Sequence, residues 1–123
     1  MQPLNVVILQ SSADVAQNLQ SSLQSHFHFI YLARNLGEAK VAIPKYRAQV
    51  AIIDLELVPR SEVEGLRREF PGLCLVCTHR LADEEMWTEM VGAGASDLCY
   101  SADSQSILSA ALRSTQAAKS IAA

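Results

Sequence analysis

Short apolar runs recur along the chain and are separated by longer amphipathic segments. A continuous run of about four to eight hydrophobic residues is typical of a strand that is buried on both faces. Runs of this kind, some of them containing a polar residue, predict five strands, at residues 4–10, 28–33, 50–56, 73–78 and 96–100.

The segments between these runs have the spacing of helices. Val15, Leu19 and Leu23 recur at every fourth position and predict one apolar helix face. Further helices are predicted to begin at side chains that can cap a helix: Asn35, Ser61, Asp83 and Asp103.

Some helix boundaries follow from individual residues. Asn35 and Ser61 are each followed three residues later by a glutamate, which is the capping-box pattern. The helix that begins at Asn35 is predicted to end near Ile43, because Pro44 cannot donate a backbone hydrogen bond and clashes with the preceding turn. The helix that begins at Asp83 is predicted to end at Gly94.

The alternation of strands and helices predicts the fold class. Successive βα units form an α/β protein in which right-handed crossovers place helices on both faces of a parallel sheet. In open sheets of this kind, ligands and reactive groups gather at the carboxyl ends of the strands. The ends of the predicted strands are therefore the places where functional residues are expected.

Length and composition fit one cytoplasmic domain. The chain has 123 residues, of which 50% are hydrophobic and 19% are charged, as in an ordinary globular protein. A formal net charge of −3 argues against nucleic-acid binding through a basic surface. No apolar run is long enough to span a bilayer, and the N-terminus lacks a signal-peptide pattern. We expect a domain over residues 1–118 and a tail or the start of a linker over residues 119–123.

The cysteines are predicted to be buried and reduced. Cys74 and Cys77 form a C-x-x-C pattern, which also occurs in redox and metal sites. Both lie in a predicted strand, where residues three apart point to opposite faces and their thiols cannot meet. Free cysteine is among the most buried residue types.

An acidic residue closes the most hydrophobic strand. Asp54 follows Val50, Ala51, Ile52 and Ile53. Burial of a lone carboxylate is costly unless it is paired, and its place at the carboxyl end of a strand predicts that its head emerges into a surface pocket. From position alone, a structural role in capping a loop fits equally well.

With this order of elements, the chain resembles the receiver domains of bacterial two-component response regulators. The resemblance implies a flavodoxin-like (βα)5 three-layer sandwich with a parallel sheet in the order 2-1-3-4-5. It also implies that Asp54 accepts a phosphoryl group from a histidine kinase or phosphotransfer protein and that the hydroxyl of Thr78 switches to hold it. The segments that carry the resemblance are VAIIDLEL, LCLVCTHR and GAGASDLCYS.

The chain departs from the family pattern at several functional positions. Gln10 and Ser11 occupy the places of two acids that help to bind Mg²⁺, and Ser101 occupies the place of a lysine. Leu98 stands where an aromatic residue usually reports the switch state. Since Mg²⁺ prefers carboxylate ligands, we expect at most weak Mg²⁺ binding, by Asp54.

The rim of the predicted site carries charged residues that offer a compensation. A weak Mg²⁺ site would add a backbone group of Glu56 to Asp54. Glu56 and Arg80 are each two residues past a strand-end functional residue, so we hypothesise that they form an ion pair over Asp54. Alternatively, Arg80 with His79 supplies the positive charge of the missing lysine, or Glu56 and Arg80 are simply solvated charges.

The resemblance also predicts a protein-interaction face. Receivers dock partners or dimerise through their fourth helix, fifth strand and fifth helix, where this chain has Trp87 and Leu98. An exposed tryptophan there would be a hot-spot candidate. We expect a homodimer or an output domain in a longer protein as occupants of this face.

These observations favour a degenerate, atypical receiver domain in a phosphorelay, with Asp54 as phosphoacceptor. The alternative is a phosphorylation-independent pseudo-receiver that acts through protein contacts. A flavodoxin-fold domain that binds a small ligand is a third interpretation, although the chain has no glycine-rich phosphate loop. An enzyme is not predicted, because no nucleophile and base are paired in the sequence.

Overall fold

The computed structural model describes residues 4–122, with side chains for residues 4–113. The strands are β1 (Asn5–Leu9), β2 (Phe29–Ala33), β3 (Val50–Asp54), β4 (Cys74–His79) and β5 (Asp97–Tyr100). The helices are α1 (Ala13–Leu23), α2 (Leu36–Lys45), α3 (Arg60–Glu69), α4 (Glu84–Gly92) and α5 (Ser104–Ala122).

The strands form one parallel sheet in the order β2-β1-β3-β4-β5, which confirms the predicted flavodoxin-like (βα)5 fold. The register pairs Leu9 with Ile53, and Asp54 with Thr78. The carboxyl ends of β1, β3 and β4 therefore lie side by side. This places the predicted strand-end residues in one neighbourhood.

Alternate residues of the central strands pack into separate cores. In β3, Ala51 and Ile53 belong to the core under α2, α3 and α4, whereas Val50 and Ile52 belong to the core under α1 and α5. This alternation explains why β3 has no polar position before Asp54: both of its faces are covered by helices.

The cysteines follow the same alternation. Cys77 lies in the first of these cores, and Cys74 lies in the second. Cys74, Cys77 and Cys99 are all buried and are not joined by disulfides, and the opposite faces of Cys74 and Cys77 confirm the predicted separation of their thiols. Burial raises the pKa of Cys77 and of Cys99 to about 12.

Two predicted helix boundaries are confirmed by their caps. The side chain of Asn35 accepts a hydrogen bond from the backbone N–H of Glu38 (2.8 Å), and that of Asp83 accepts one from Met86 (2.8 Å). Each satisfies a donor that the first helical turn leaves without a partner. Helix α4 ends at Gly92, two residues before the predicted stop at Gly94.

Two other boundary predictions are wrong. Pro44 lies inside α2, which continues to Lys45, because a proline in the last turn removes only one hydrogen bond while Tyr46 still donates to Ala42. Ser61 does not cap α3. The N-cap is Pro59, two residues earlier, where the missing N–H of proline costs no helical hydrogen bond.

Gly94 is required by the close approach of α3. Its φ of +112° is a conformation that residues with a side chain rarely adopt. The Nε of Arg67 donates to the Gly94 carbonyl at 2.7 Å, and a Cβ at Gly94 would lie 2.7 Å from Arg67 Cγ. This contact fixes the loop between α4 and β5.

Candidate functional site

Asp54 is buried at the carboxyl end of β3, with 1% of its surface exposed. Its Oδ2 accepts hydrogen bonds from the backbone N–H of Ser11 (2.8 Å) and from the Ser11 hydroxyl (2.6 Å). Its Oδ1 accepts one from the backbone N–H of Glu56 (2.9 Å). Both carboxylate oxygens are thus occupied by donors of the chain itself.

The expectation that the head of Asp54 emerges into a surface pocket is therefore wrong. The physical reason is that Ser11, which donates hydrogen bonds, stands where the family pattern has an acid. A carboxylate at position 11 would repel Asp54, whereas the hydroxyl and amide of Ser11 bind it. Charge-assisted hydrogen bonds of this length are among the stronger polar contacts in proteins.

Thr78 is fully buried on the neighbouring strand and is bound by Gln10. The Gln10 Nε2 donates to Thr78 Oγ1 at 3.0 Å, while the Thr78 hydroxyl has the Gln10 Oε1 within 3.3 Å as an acceptor. The side chain of Gln10, directly after β1, therefore lies across the strand ends and contacts Thr78 on β4. Residues 10 and 11 each satisfy one of the two predicted functional side chains.

The turn after β1 continues directly into α1. Ser12 caps this helix by accepting from the backbone N–H of Val15 at 3.3 Å. The three consecutive polar residues from Gln10 to Ser12 thus have separate structural partners. Their sequence alone, QSS, does not reveal this division.

The ion pair predicted between Glu56 and Arg80 is present. The Nε of Arg80 lies 2.7 Å from Glu56 Oε1. The Arg80 side chain is 75% exposed, so solvent screens the pair and its contribution to stability is small. None of the ion pairs among residues 4–113 joins Arg80 to Asp54.

His79 has a local structural contact. Its Nδ1 accepts a hydrogen bond from the backbone N–H of Leu81 at 2.9 Å, which fixes the turn after β4. Ser101 is buried at the end of β5, and its backbone N–H donates to the His79 carbonyl at 3.2 Å. The Ser101 hydroxyl has no hydrogen-bond partner within the described part of the chain.

The residues at the strand ends do not fit Mg²⁺. Asp54 is the carboxylate of this cluster, and its oxygens already accept three hydrogen bonds. Gln10 and Ser11 carry no formal charge. Among the described residues, no group of three or more histidine, cysteine, aspartate or glutamate side chains could hold a metal ion.

Trp87 lies on the predicted interaction face and is 45% exposed. Its Nε1 donates to Asp97 Oδ1 at 2.9 Å, and Arg113 lies 2.8 Å from Asp97 Oδ2. Leu98 is buried against the core, whereas Tyr100 is exposed. Asp97 and Arg113 were not among the predicted site residues, because they lie 16 residues apart on β5 and α5 and no local sequence pattern signals their contact.

Receiver domains of solved structure have the same fold as this chain. A response regulator from Thermotoga maritima is 16% identical with a TM-score of 0.84, over 94% of this chain and 99% of that one. A CheY-like receiver domain protein from Methanospirillum hungatei is 15% identical with a TM-score of 0.83, over 97% and 98%. The RcsB response regulator of Salmonella typhimurium is 18% identical with a TM-score of 0.82, over 95% of this chain and 61% of that one.

Sequence comparisons do not extend this likeness. No protein-family model matches the chain, and no curated protein sequence matches it. The structural similarity therefore establishes the receiver fold. Within the described residues, no helix is both long and apolar enough to cross a membrane.

Proposed function

We propose that this chain is a receiver-fold signalling module that acts through protein contacts and not through phosphorylation of Asp54. The observation that carries the proposal is the state of the carboxylate, which is 1% exposed and accepts hydrogen bonds from Ser11 and Glu56 at both oxygens. Asp54 then serves as a structural connection between the ends of β1 and β3.

Phosphoryl transfer makes demands that this arrangement opposes. The attacking carboxylate oxygen must reach the phosphorus atom in line with the leaving group, and cations must take up charge on the phosphoryl oxygens. At Asp54, an attack by Oδ2 breaks two hydrogen bonds from Ser11. The side chains of Gln10 and Ser11 carry no negative charge that would hold a divalent cation.

A signalling role is supported by the fold. The structurally similar proteins described above are response regulators or their receiver domains. The RcsB chain is longer than the matched part, so an output domain joined to a receiver is a precedent for this chain. We propose that a kinase, phosphotransfer protein or output domain docks on the face formed by α4, β5 and α5, with a second copy of the chain as the alternative occupant.

A second candidate function is slow phosphorylation of Asp54 with Thr78 as the switch hydroxyl. The register favours it, because Asp54 and Thr78 are directly paired on adjacent strands. A hydroxyl in that place can donate to a phosphoryl oxygen. In this protein, however, the hydroxyl contacts Gln10.

Acetyl phosphate separates the two candidates. We expect no phosphoryl adduct by intact-mass spectrometry after incubation with acetyl phosphate and Mg²⁺. An adduct that disappears in Asp54→Ala would contradict the proposal and support the second candidate. The double variant Gln10→Asp/Ser11→Asp restores both acids and removes the Ser11 hydroxyl, so an adduct on this variant alone identifies these substitutions as the cause of inactivity.

Catalytic turnover and a resident cofactor are not part of the proposed function. A flavodoxin-fold domain that binds a flavin would absorb visible light after purification. We expect the purified protein to show only the ultraviolet absorbance of its aromatic side chains. A visible absorption band that persists after gel filtration would favour the small-ligand interpretation.

A further inference from the structure

A groove of about 690 Å³ lies between α4, β5 and α5. The first turn of α4 forms one wall, α5 forms the other, and β5 forms the floor. Trp87 and Tyr100 are 45% and 55% exposed along it. Tryptophan and tyrosine are enriched at protein interfaces and among their hot spots.

The indole of Trp87 is held in place by the edge strand. Asp97 accepts hydrogen bonds from Trp87 Nε1 (2.9 Å) and from the backbone N–H of Leu98 (2.8 Å) through Oδ1. Its Oδ2 lies 2.8 Å from the guanidinium of Arg113. Because the indole is fixed before any partner binds, less side-chain entropy is lost on association.

The groove has an excess of negative charge. Four carboxylates and one guanidinium line it, and the guanidinium of Arg113 is already paired with Asp97. Asp83, Glu84 and Asp103 take part in none of the ion pairs among residues 4–113. Asp83 and Asp103 accept hydrogen bonds at the starts of α4 and α5, and both line the groove.

We infer that this groove binds an arginine-bearing segment of a partner protein. The inference rests on the proposed function and specifies the partner's chemistry. A guanidinium can stack on the exposed indole of Trp87 and pair with a carboxylate in a two-pronged geometry, which an ammonium group cannot do. An arginine of the partner segment can therefore contact the indole of Trp87 and a carboxylate of the groove at the same time.

A second copy of the chain is a poorer occupant. A two-fold interface brings the same patch of both subunits together. The carboxylates of Glu84 and Asp103, which form no ion pair within residues 4–113, would then face the same negative groove, while Arg113 is already paired with Asp97. Like charges across an interface disfavour that partner.

The chain contains a single tryptophan, so the fluorescence of Trp87 reports on the groove directly. The probes are a short amphipathic peptide of arginine and leucine and two analogues, with lysine or glutamate in place of each arginine. We expect the arginine peptide to shift the emission and to bind about threefold more tightly than the lysine analogue. It should bind about tenfold more tightly than the glutamate analogue.

Variants of the carboxylates make the test specific. Glu84→Gln/Asp103→Asn keeps a capping side chain at α5 and should weaken the arginine peptide about fivefold, with a shallower salt dependence. Glu69→Gln on α3 removes one exposed carboxylate outside the groove and should leave the affinity unchanged. Circular dichroism checks that the variants remain folded.

Equal affinity for the arginine and glutamate peptides would overturn the inference. So would equal weakening by Glu69→Gln and by the double variant, or a stable dimer in sedimentation that protects Trp87 from the peptide. The proposed function fails separately, through a phosphoryl adduct on Asp54. Peptide binding together with an adduct refutes only the phosphorylation-independent role.

Discussion

The carboxylate at the carboxyl edge of the sheet and those in the groove beside α4 differ in burial and in their bonding partners. Asp54 is buried and accepts three hydrogen bonds from Ser11 and Glu56. In the groove, Glu84 is exposed close to Trp87, and neither Glu84 nor Asp103, whose carboxylate accepts hydrogen bonds from Ser106, has an ion-pair partner within residues 4–113. A buried carboxylate whose hydrogen bonds are satisfied stabilises the fold, whereas a carboxylate without an ion pair beside an aromatic ring can pair with a partner. The contrast supports the proposal that partners bind on the α4–β5–α5 face.

The largest effect is expected at the buried carboxylate. Asp54→Ala leaves the N–H groups of Ser11 and Glu56 without their acceptor and should lower the free energy of unfolding by about 3 kcal/mol, the scale for buried hydrogen bonds to a charged group. Urea denaturation measures it. Glu89→Ala, which removes an exposed carboxylate from α4, is the matched control and should change stability by less than about 0.5 kcal/mol.

The sign of this effect separates two kinds of site. Where several acids crowd together, removal of one relieves repulsion and stabilises the protein. At Asp54 the neighbours are donors, so the variant should be less stable. A more stable Asp54→Ala protein would mean that the carboxylate is not held as described.

The contact between Gln10 and Thr78 should have the next largest effect. Gln10→Ala leaves the buried Thr78 hydroxyl without its partner and should cost about 1.5 kcal/mol. Thr78→Val should cost less, because Gln10 is only half-buried and its amide can reach water. A double-mutant cycle should give a coupling of about 1 kcal/mol, and additive effects would show that the side chains do not interact.

The contacts of Asp97 with Trp87 and Arg113 should contribute less to stability. Their loss should be seen mainly in the fluorescence of Trp87. Asp97→Ala frees the indole and the Arg113 guanidinium, and we expect a loss of about 1 kcal/mol because the site is partly solvated. The emission of Trp87 should shift toward that of a solvated indole. An unchanged spectrum would show that Asp97 does not position the ring.

The exposed ion pair should be almost neutral. Arg80→Ala removes the 2.7 Å contact with Glu56, yet a guanidinium that is 75% exposed contributes less than about 0.5 kcal/mol. Stability is compared in low and high salt. A loss as large as that of Gln10→Ala would indicate that Arg80 supports the buried carboxylate after all.

A pH effect is expected at the start of α5. Hydrogen bonds from the Ser106 hydroxyl and N–H lower the pKa of Asp103 below its ordinary value of 3.8. A carboxyl with a lowered folded pKa stabilises the protein above the unfolded pKa, and this stabilisation disappears as the pH falls through the folded pKa. Wild type should therefore have a higher Tm than Ser106→Ala at neutral pH, and this difference should disappear in strong acid. A difference that persists at low pH would contradict this assignment.

The sequence predicts the strands and helices well, because these depend on patterns that many residues share, whereas the strand order 2-1-3-4-5 followed from the resemblance to receiver domains. The apolar run before Asp54 and the caps at Asn35 and Asp83 each have a local physical cause. The hypothesis of a Glu56–Arg80 contact succeeded because the two residues extend adjacent strands. Helix ends near Pro44 and Ser61 were misplaced, since tertiary packing and the last helical turn tolerate small departures from local rules.

The accessibility of Asp54 could not be read from the sequence. It depends on the orientations of Gln10 and Ser11, and both residues can either line an open pocket or close it. The groove likewise depends on Asp97, Arg113 and Trp87, which lie on three separate elements. Their hydrogen bonds are set by side-chain geometry, about which hydrophobic periodicity gives no information.

Hydrogen exchange at the backbone amide of Ser11 tests the central claim most directly. Ser11 is itself an exposed residue, yet its N–H donates to the buried carboxylate of Asp54 at 2.8 Å. We predict that this amide exchanges at least about a hundredfold more slowly than the N–H of Ala13 in the first turn of α1, and that Asp54→Ala removes the protection while the sheet amide of Ile52 stays protected. Exchange of Ser11 as fast as that of Ala13 in the wild-type protein would show that the carboxylate is open, and would contradict the account.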